Sequence, residues 1–276
     1  MARFNWKTWL WAPLLLVAAA AAAASPALAA SPDFTAYQKT AFDRSVAAAD
    51  ETLGTKLKQQ FAEFEALRVS SRDWEQKISD LHYRSADEMA ALRKRIPLID
   101  ADKIAKLKLT VEQTKKQHQN LFDLYRSAND GLKAARKLKN KTLTALLNAQ
   151  VESLKLPVLL ARQDIKNKDT AYQAAKKAAA AKMKKVRNTL SAVSPVQTRI
   201  KAAKSALTAP KDSRWTVWKS FTQSIGKRDA KSAAGFLASV NALSRQIIER
   251  QRDIFELESR VADIIRTAEA QLVHPG

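Results

Sequence analysis

Apolar residues recur every three or four positions along most of the chain, the period of amphipathic helices. Between residues 33 and 69 they are Phe34, Tyr37, Phe42, Val46, Leu53, Leu57, Phe61, Phe64 and Leu67. Gly54 falls inside this run, and a mid-helix glycine costs about 1 kcal/mol relative to alanine, so it marks a kink or break. Ser70-Ser71 ahead of Arg72-Asp73-Trp74-Glu75 reads as an N-cap with an acidic first turn, opening a second helix. That helix carries Trp74, Ile78, Leu81, Met89 and Leu92 and ends at Ile96-Pro97, because a residue before proline is pushed out of the helical region.

The most regular pattern follows. Asp100 or Asp102 can cap it. Ile104, Leu107, Val111, Thr114, His118, Leu121, Tyr125, Ala128, Leu132 and Ala135 alternate spacings of three and four, an a/d heptad seam. Past Ala135 the phase slips and resumes at Leu143, Leu146, Leu147, Val151 and Leu154, which predicts a locally altered supercoil within one helix of about 55 residues, roughly 80 Å long. Leu156-Pro157 is the next predicted boundary. A helix over 158–193 follows, then Ser194-Pro195 opens a short one with Val196, Ile200, Ala203 and Leu207. The stretch from Thr208 to Arg214, with Pro210, reads as a loop. Trp215, Trp218, Phe221 and Ile225 then share one helix face. The last helix, from about Asp229 to Leu272, carries a second seam: Phe236, Val240, Leu243, Ile247, Arg250, Ile254, Leu257, Val261, Ile264 and Ala268.

Such stripes must be covered by other helices. With proline breaks at 97 and 157 letting the chain double back, the predicted fold is all-α: an elongated antiparallel bundle of long coiled-coil-like helices. The seams 104–135 and 236–268 are the natural partners within the chain, and a homo-oligomer through the same seams is the alternative. No repeat and no Gly/Ser linker divides residues 31–276, so they read as a single elongated domain.

Composition supports the helices and locates the protein. Five glycines and eight prolines in 276 residues are too few for a strand-and-turn architecture. The first thirty residues differ from the rest. Arg3 and Lys7 precede an apolar run from Leu10 to Ala24, Ser25-Pro26 breaks it, and Ala27-Leu28-Ala29 has the small-x-small form of a cleavage site. About fifteen apolar residues fall short of the roughly twenty that span a bilayer. A signal peptide over 1–30, cleaved after Ala29 or Ala30, is therefore expected over a retained anchor. The protein is then secreted, extracellular or associated with a bacterial cell envelope. No cysteine is present, so disulfides, thiolate nucleophiles and sulfur-ligated metals are ruled out.

Charge adds the one feature with functional content. The formal net charge is +21. Residues 131–211 hold 19 Lys+Arg and only three acidic residues, Glu152, Asp164 and Asp169, whereas the flanking stretches are nearly balanced. A lysine-rich face can be simply solvated. Without neutralising partners, however, the charges repel one another, and a polyanion relieves that repulsion while releasing counterions. The contacts implied are Lys133, Arg136, Lys137, Lys139, Lys141, Lys176, Lys177, Lys182, Lys184, Lys185 and Arg187. The predominance of lysine favours diffuse attraction to an anionic envelope polymer or membrane surface over bidentate readout.

Other chemistry finds little support. His82, His118 and His274 are far apart in sequence and form no metal-ligand spacing. His118 falls on the seam as a packed histidine. The glycines make no phosphate loop or nucleophile elbow, and Asp87-Glu88 and Glu256/Glu258 read as surface charge. No enzyme, cofactor or small-molecule substrate is expected. Trp215, Trp218 and Phe221 suit either a core face or a membrane-interface or partner anchor. Arg250 either sets register in its seam or reaches out to Glu249 or Asp253. The expectation is a non-enzymatic structural or interaction protein of the envelope. A membrane-active toxin or pore component is the alternative, weakened because Leu156 to Ala161 is short and Ala171 to Ala181 contains Lys176 and Lys177. Nucleic-acid binding ranks below both, since aromatic residues are not interleaved with the basic run.

Overall fold

A computed structural model describes residues 34–273. The predicted signal peptide and His274 lie outside them. Among the described residues the chain is almost wholly helical, with no strand: α1 (Ala36–Ala47), α2 (Glu51–Arg95), a 3-10 turn (Ile96–Leu98), α3 (Ala101–Lys137), α4 (Lys141–Ser191), α5 (Val193–Ser205), α6 (Thr208–Gly226) and α7 (Ala230–Val273). Packing divides them into two compact units where the sequence offered no linker. Unit 1 holds the residues up to Trp74 with Lys204–Gln251, and unit 2 holds Glu75–Ala203 with the residues from Arg252 on. The divisions fall inside α2 and α7, so no change in composition marks them.

Unit 1 is built on an aromatic core. Thr35 and Gln38 start α1 with a reciprocal capping box, the Gln38 N–H donating to Thr35 Oγ1 at 3.2 Å and the Thr35 N–H to Gln38 Oε1 at 2.9 Å. The predicted first helix breaks at residues 48–50, ahead of Gly54, and Asp50 accepts from the Leu53 N–H at 2.8 Å. Gly54 serves close approach: a Cβ there would stand 3.2 Å from the Val46 carbonyl oxygen. Helix α2 then runs unbroken through Ser70-Ser71, against the predicted cap. Ser71 is buried and its carbonyl accepts from Gln251 Nε2 at 3.2 Å, so tertiary contact overrides the local capping tendency. Phe42, Leu57 and Phe64 meet Trp218, Phe221 and Ile225 of α6 and Ala233, Ala234 and Leu237 of α7, with Phe34 and Phe61 at the edge. Phe64 stacks on Trp218 at 4.7 Å between centroids.

The residues read as a loop, from Thr208 to Arg214, are the first turns of α6. Pro210 is its third residue, where a missing N–H breaks no intrahelical bond. Asn241 Nδ2 donates to the Gln60 carbonyl at 2.9 Å and to Glu63 Oε2 at 3.2 Å, and Arg245 pairs with Glu63. Along with Ser71–Gln251, these partners advance together on α2 and α7, so within unit 1 the two helices run in the same direction.

Unit 2 contains the remainder of both helices and the α3–α4 pair. Here again α2 and α7 run the same way, through His82–Glu258 and Arg95–Glu269. Antiparallel is thus not the sense of this pair, and these partners of α7 lie on α2, while Gln271 near its end meets Thr189 of α4 at 3.2 Å. The physical reason lies in α7's buried arc. Asn241, Ser244, Gln251 and Glu258 are buried beside the predicted apolar positions, and three of these four hydrogen-bond α2. Polar groups inside a core need their own partners, and those partners select the neighbouring helix.

The 104–135 seam is buried or half-buried at every predicted position. It lies against α4. Asp100 meets Lys182, His118 meets Asp164, and Gly131 lies beside Leu147, so positions fall along α4 as they rise along α3. The predicted phase slip is in fact the connection between these helices. The Leu138 N–H donates to the Ala134 carbonyl and the Asn140 N–H to that of Ala135, closing α3 with Lys139 in the left-handed region at φ 54°. Asn140 then caps α4, accepting from the Leu143 N–H at 3.0 Å. Pro157, predicted to end a helix, lies inside α4. It removes a bond to the Ser153 carbonyl, and because both residues are exposed, water can supply that bond.

Candidate anion-binding surface

The basic residues nominated from sequence all lie in unit 2, on α3, the connecting turn and α4. Lys182 is half-buried and the other ten are exposed. They do not form one patch. Lys133, Arg136, Lys137, Lys139 and Lys141 gather where α3 turns into α4. Lys176, Lys177, Lys182, Lys184, Lys185 and Arg187 lie toward the other end of α4. Lys141 and Lys182 are 41 residues apart on one helix, about 60 Å at 1.5 Å per residue. No small ligand reaches both groups.

Few of these cations are neutralised. Lys133 Nζ is 3.0 Å from Asp130 Oδ1, and Lys182 Nζ is 3.3 Å from Asp100 Oδ2. Lys176 stands 5.4 Å from the centroid of the Tyr172 ring, a cation–π contact. Arg136, Lys137, Lys139, Lys141, Lys177, Lys184, Lys185 and Arg187 make no ion pair among the described residues. Lys155, between the groups, shows the contrast. Its hydrogen bond to Glu152 holds the ammonium above the usual lysine range. Beside the turn, Arg136, Lys139, Lys141, Thr144, Ala145 and Asn148 line a groove of about 600 Å³. Arg187 borders another of about 520 Å³, with Arg93, Pro97 and Gln197.

The aromatic candidates part company. Trp218 and Phe221 are 3% and 0% exposed in the unit 1 core, whereas Trp215 is 46% exposed with Lys219 Nζ 5.5 Å from its ring centroid. Only Trp215 presents a surface. Arg250 is half-buried. His118 is also half-buried, with Nε2 3.4 Å from Asp164 Oδ2. Glu258, read as surface charge, is 2% exposed and lies 3.0 Å from His82 Nδ1. Periodicity places Glu258 one residue from the seam position Leu257, a weak signal that the buried arc is wider than two strands require. No group of three His, Asp or Glu among the described residues can hold a metal ion. No described helix is long and apolar enough to cross a membrane.

Sequence reasoning missed three exposed leucines at the turn. Leu138, Leu143 and Leu146 were assigned to a continuing helix or its stripe, yet they are 76%, 38% and 68% exposed. Compared with known proteins, the chain matches no family model, no curated protein and no solved structure.

Proposed function

We propose that this chain is a non-enzymatic attachment protein of the bacterial cell envelope, exported by its amino-terminal segment and held to anionic surfaces by the basic residues of α3 and α4. One observation carries the reading: eight of the eleven nominated cations are exposed and make no ion pair among the described residues. Surface lysines that served only solubility would be interspersed with carboxylates, as they are in the flanking stretches of this chain. Uncompensated charge is a cost to the compact state that binding an anion removes. In this reading α3 and α4 form an antiparallel coiled coil, which the falling order of their partners supports. The coil is a frame that keeps like charges apart and outward.

The test is binding of the purified protein to anionic vesicles and to a soluble polyanion across a salt series. Binding that weakens steeply between about 50 and 300 mM salt is expected, because counterion release and Debye screening both act on exposed charge. Absence of binding to either at the lowest salt overturns the proposal.

A further inference from the structure

We propose that the turn joining α3 and α4 is a membrane-docking tip whose occupant is an anionic phospholipid surface. This rests on the attachment reading above and names where and to what the chain attaches. Three features converge. Leu138 lies in the turn and Leu143 and Leu146 share one face of the first turns of α4, all exposed. Arg136, Lys137, Lys139 and Lys141 stand within a few residues of them along the chain, and no acidic residue lies between Asp130 and Glu152. The helices beneath are already closed by a cluster of their own: Ala128, Leu132 and Val151 with Tyr125, Leu147 and Leu154. The leucines are therefore not needed for the pairing of α3 with α4.

Folding does not account for the charges either. Arg136 and Lys137 suit the carboxyl end of α3, where the helix dipole favours cations. Lys141 is the first residue of α4, the end at which the same dipole disfavours them. Lys139 holds a left-handed conformation that suits glycine better. Basic residues thus stand where local structure argues against them.

Charge complementarity decides the occupant. A soluble polyanion would neutralise the four cations but leave three leucines in water. An anionic bilayer offers phosphates and hydrocarbon within about 5–10 Å of depth, the span at which interfacial helices rest. The tip lies in that interface without crossing it.

The test uses flotation with vesicles of phosphatidylcholine alone or mixed with phosphatidylglycerol, and polyphosphate as the soluble polyanion. Replacing the three leucines together (L138S, L143S, L146S) is expected to preserve the fold, which circular dichroism checks first. It should weaken binding to the mixed vesicles by at least about a hundredfold, since three leucines leave the bilayer together and each is worth more than about tenfold when fully buried, and leave polyphosphate binding unchanged. Replacing Arg136, Lys137, Lys139 and Lys141 by glutamine should weaken both. Because the chain has no cysteine, a polarity-sensitive dye can be placed at Thr142→Cys, with Thr170→Cys as a control about 42 Å along α4. A blue shift on the mixed vesicles at position 142 alone is expected. Equal vesicle binding by the leucine variant, or no shift at 142, overturns the tip while polyphosphate binding keeps the attachment reading. Binding of the wild-type chain to neither vesicles nor polyphosphate overturns both.

Discussion

Lys139→Gly separates a hairpin from a continuous helix by the sign of its effect. In the structure Lys139 has φ 54° between the end of α3 and the cap of α4. The left-handed conformation costs a residue with a Cβ about 1–2 kcal/mol. Glycine escapes that cost but loses about 0.5–1 kcal/mol more chain freedom on folding. The net expectation is a stabilisation of about 0.5–1 kcal/mol. Were residues 101–156 one helix, as periodicity alone predicts, glycine at its middle would instead destabilise by about 1 kcal/mol. Urea unfolding followed by far-UV circular dichroism distinguishes the two. With a slope on the order of 2 kcal/mol per molar urea, the midpoint rises by about 0.3–0.5 M in one case and falls by about 0.5 M in the other. The described tryptophans, Trp74, Trp215 and Trp218, all belong to unit 1. Their fluorescence transition should stay in place for Lys139→Gly. It should rise for Arg228→Gly, the same kind of substitution at another left-handed position, where φ is 59° between α6 and α7. A lowered dichroism midpoint for Lys139→Gly refutes the turn.

Phe221→Ala should cost about 3–5 kcal/mol, because the ring is wholly buried among Phe34, Phe42 and Trp218, whereas Trp215→Ala should stay within about 1 kcal/mol. Equal losses for the two in urea titrations would refute the assignment of core and surface. Asp229 caps α7, and hydrogen bonding by the Ser232 hydroxyl, then by its backbone N–H, holds the carboxyl below the usual range. Its stabilisation is thus present above the ordinary carboxylate range and is lost as pH falls through the folded value. Asp229→Asn, which retains a cap without the titration, should flatten the acid limb of unit 1 stability read by tryptophan fluorescence, and an unchanged limb would refute the cap's role.

How much of this was legible in the sequence follows from the size of each signal. Helix content needed only composition and period, because many weak preferences along a stretch add to a strong one. For the same reason the 104–135 seam is buried or half-buried at every predicted position. The end of α2 at Ile96-Pro97 was legible because proline acts sterically on the residue before it. The charge imbalance of residues 131–211 needed only counting. Single-residue signals were different. Lys139 and Arg228 hold left-handed turns that sequence reading reserves for glycine. Pro157 and Pro210 sit inside helices, and Ser70-Ser71 caps nothing. Each of these local preferences is worth about 1–3 kcal/mol, and burial of a long helix face outweighs it.

Tertiary structure alone chose the partners. Apolar stripes are interchangeable, since one leucine seam covers another equally well. Directional groups break that degeneracy: Asn241 on the Gln60 carbonyl, Gln251 on that of Ser71, and Glu258 beside His82 set α7 along α2. The site followed the same division. Sequence determined how many cations the segment carries and that few acids accompany them. The turn at Lys139 and the length of α4 then divided them into two groups about 60 Å apart and brought three leucines to the surface among the first. Charge is a sum over residues and survives any fold. Proximity is a property of the path the chain takes, and the helix pairing decides that path.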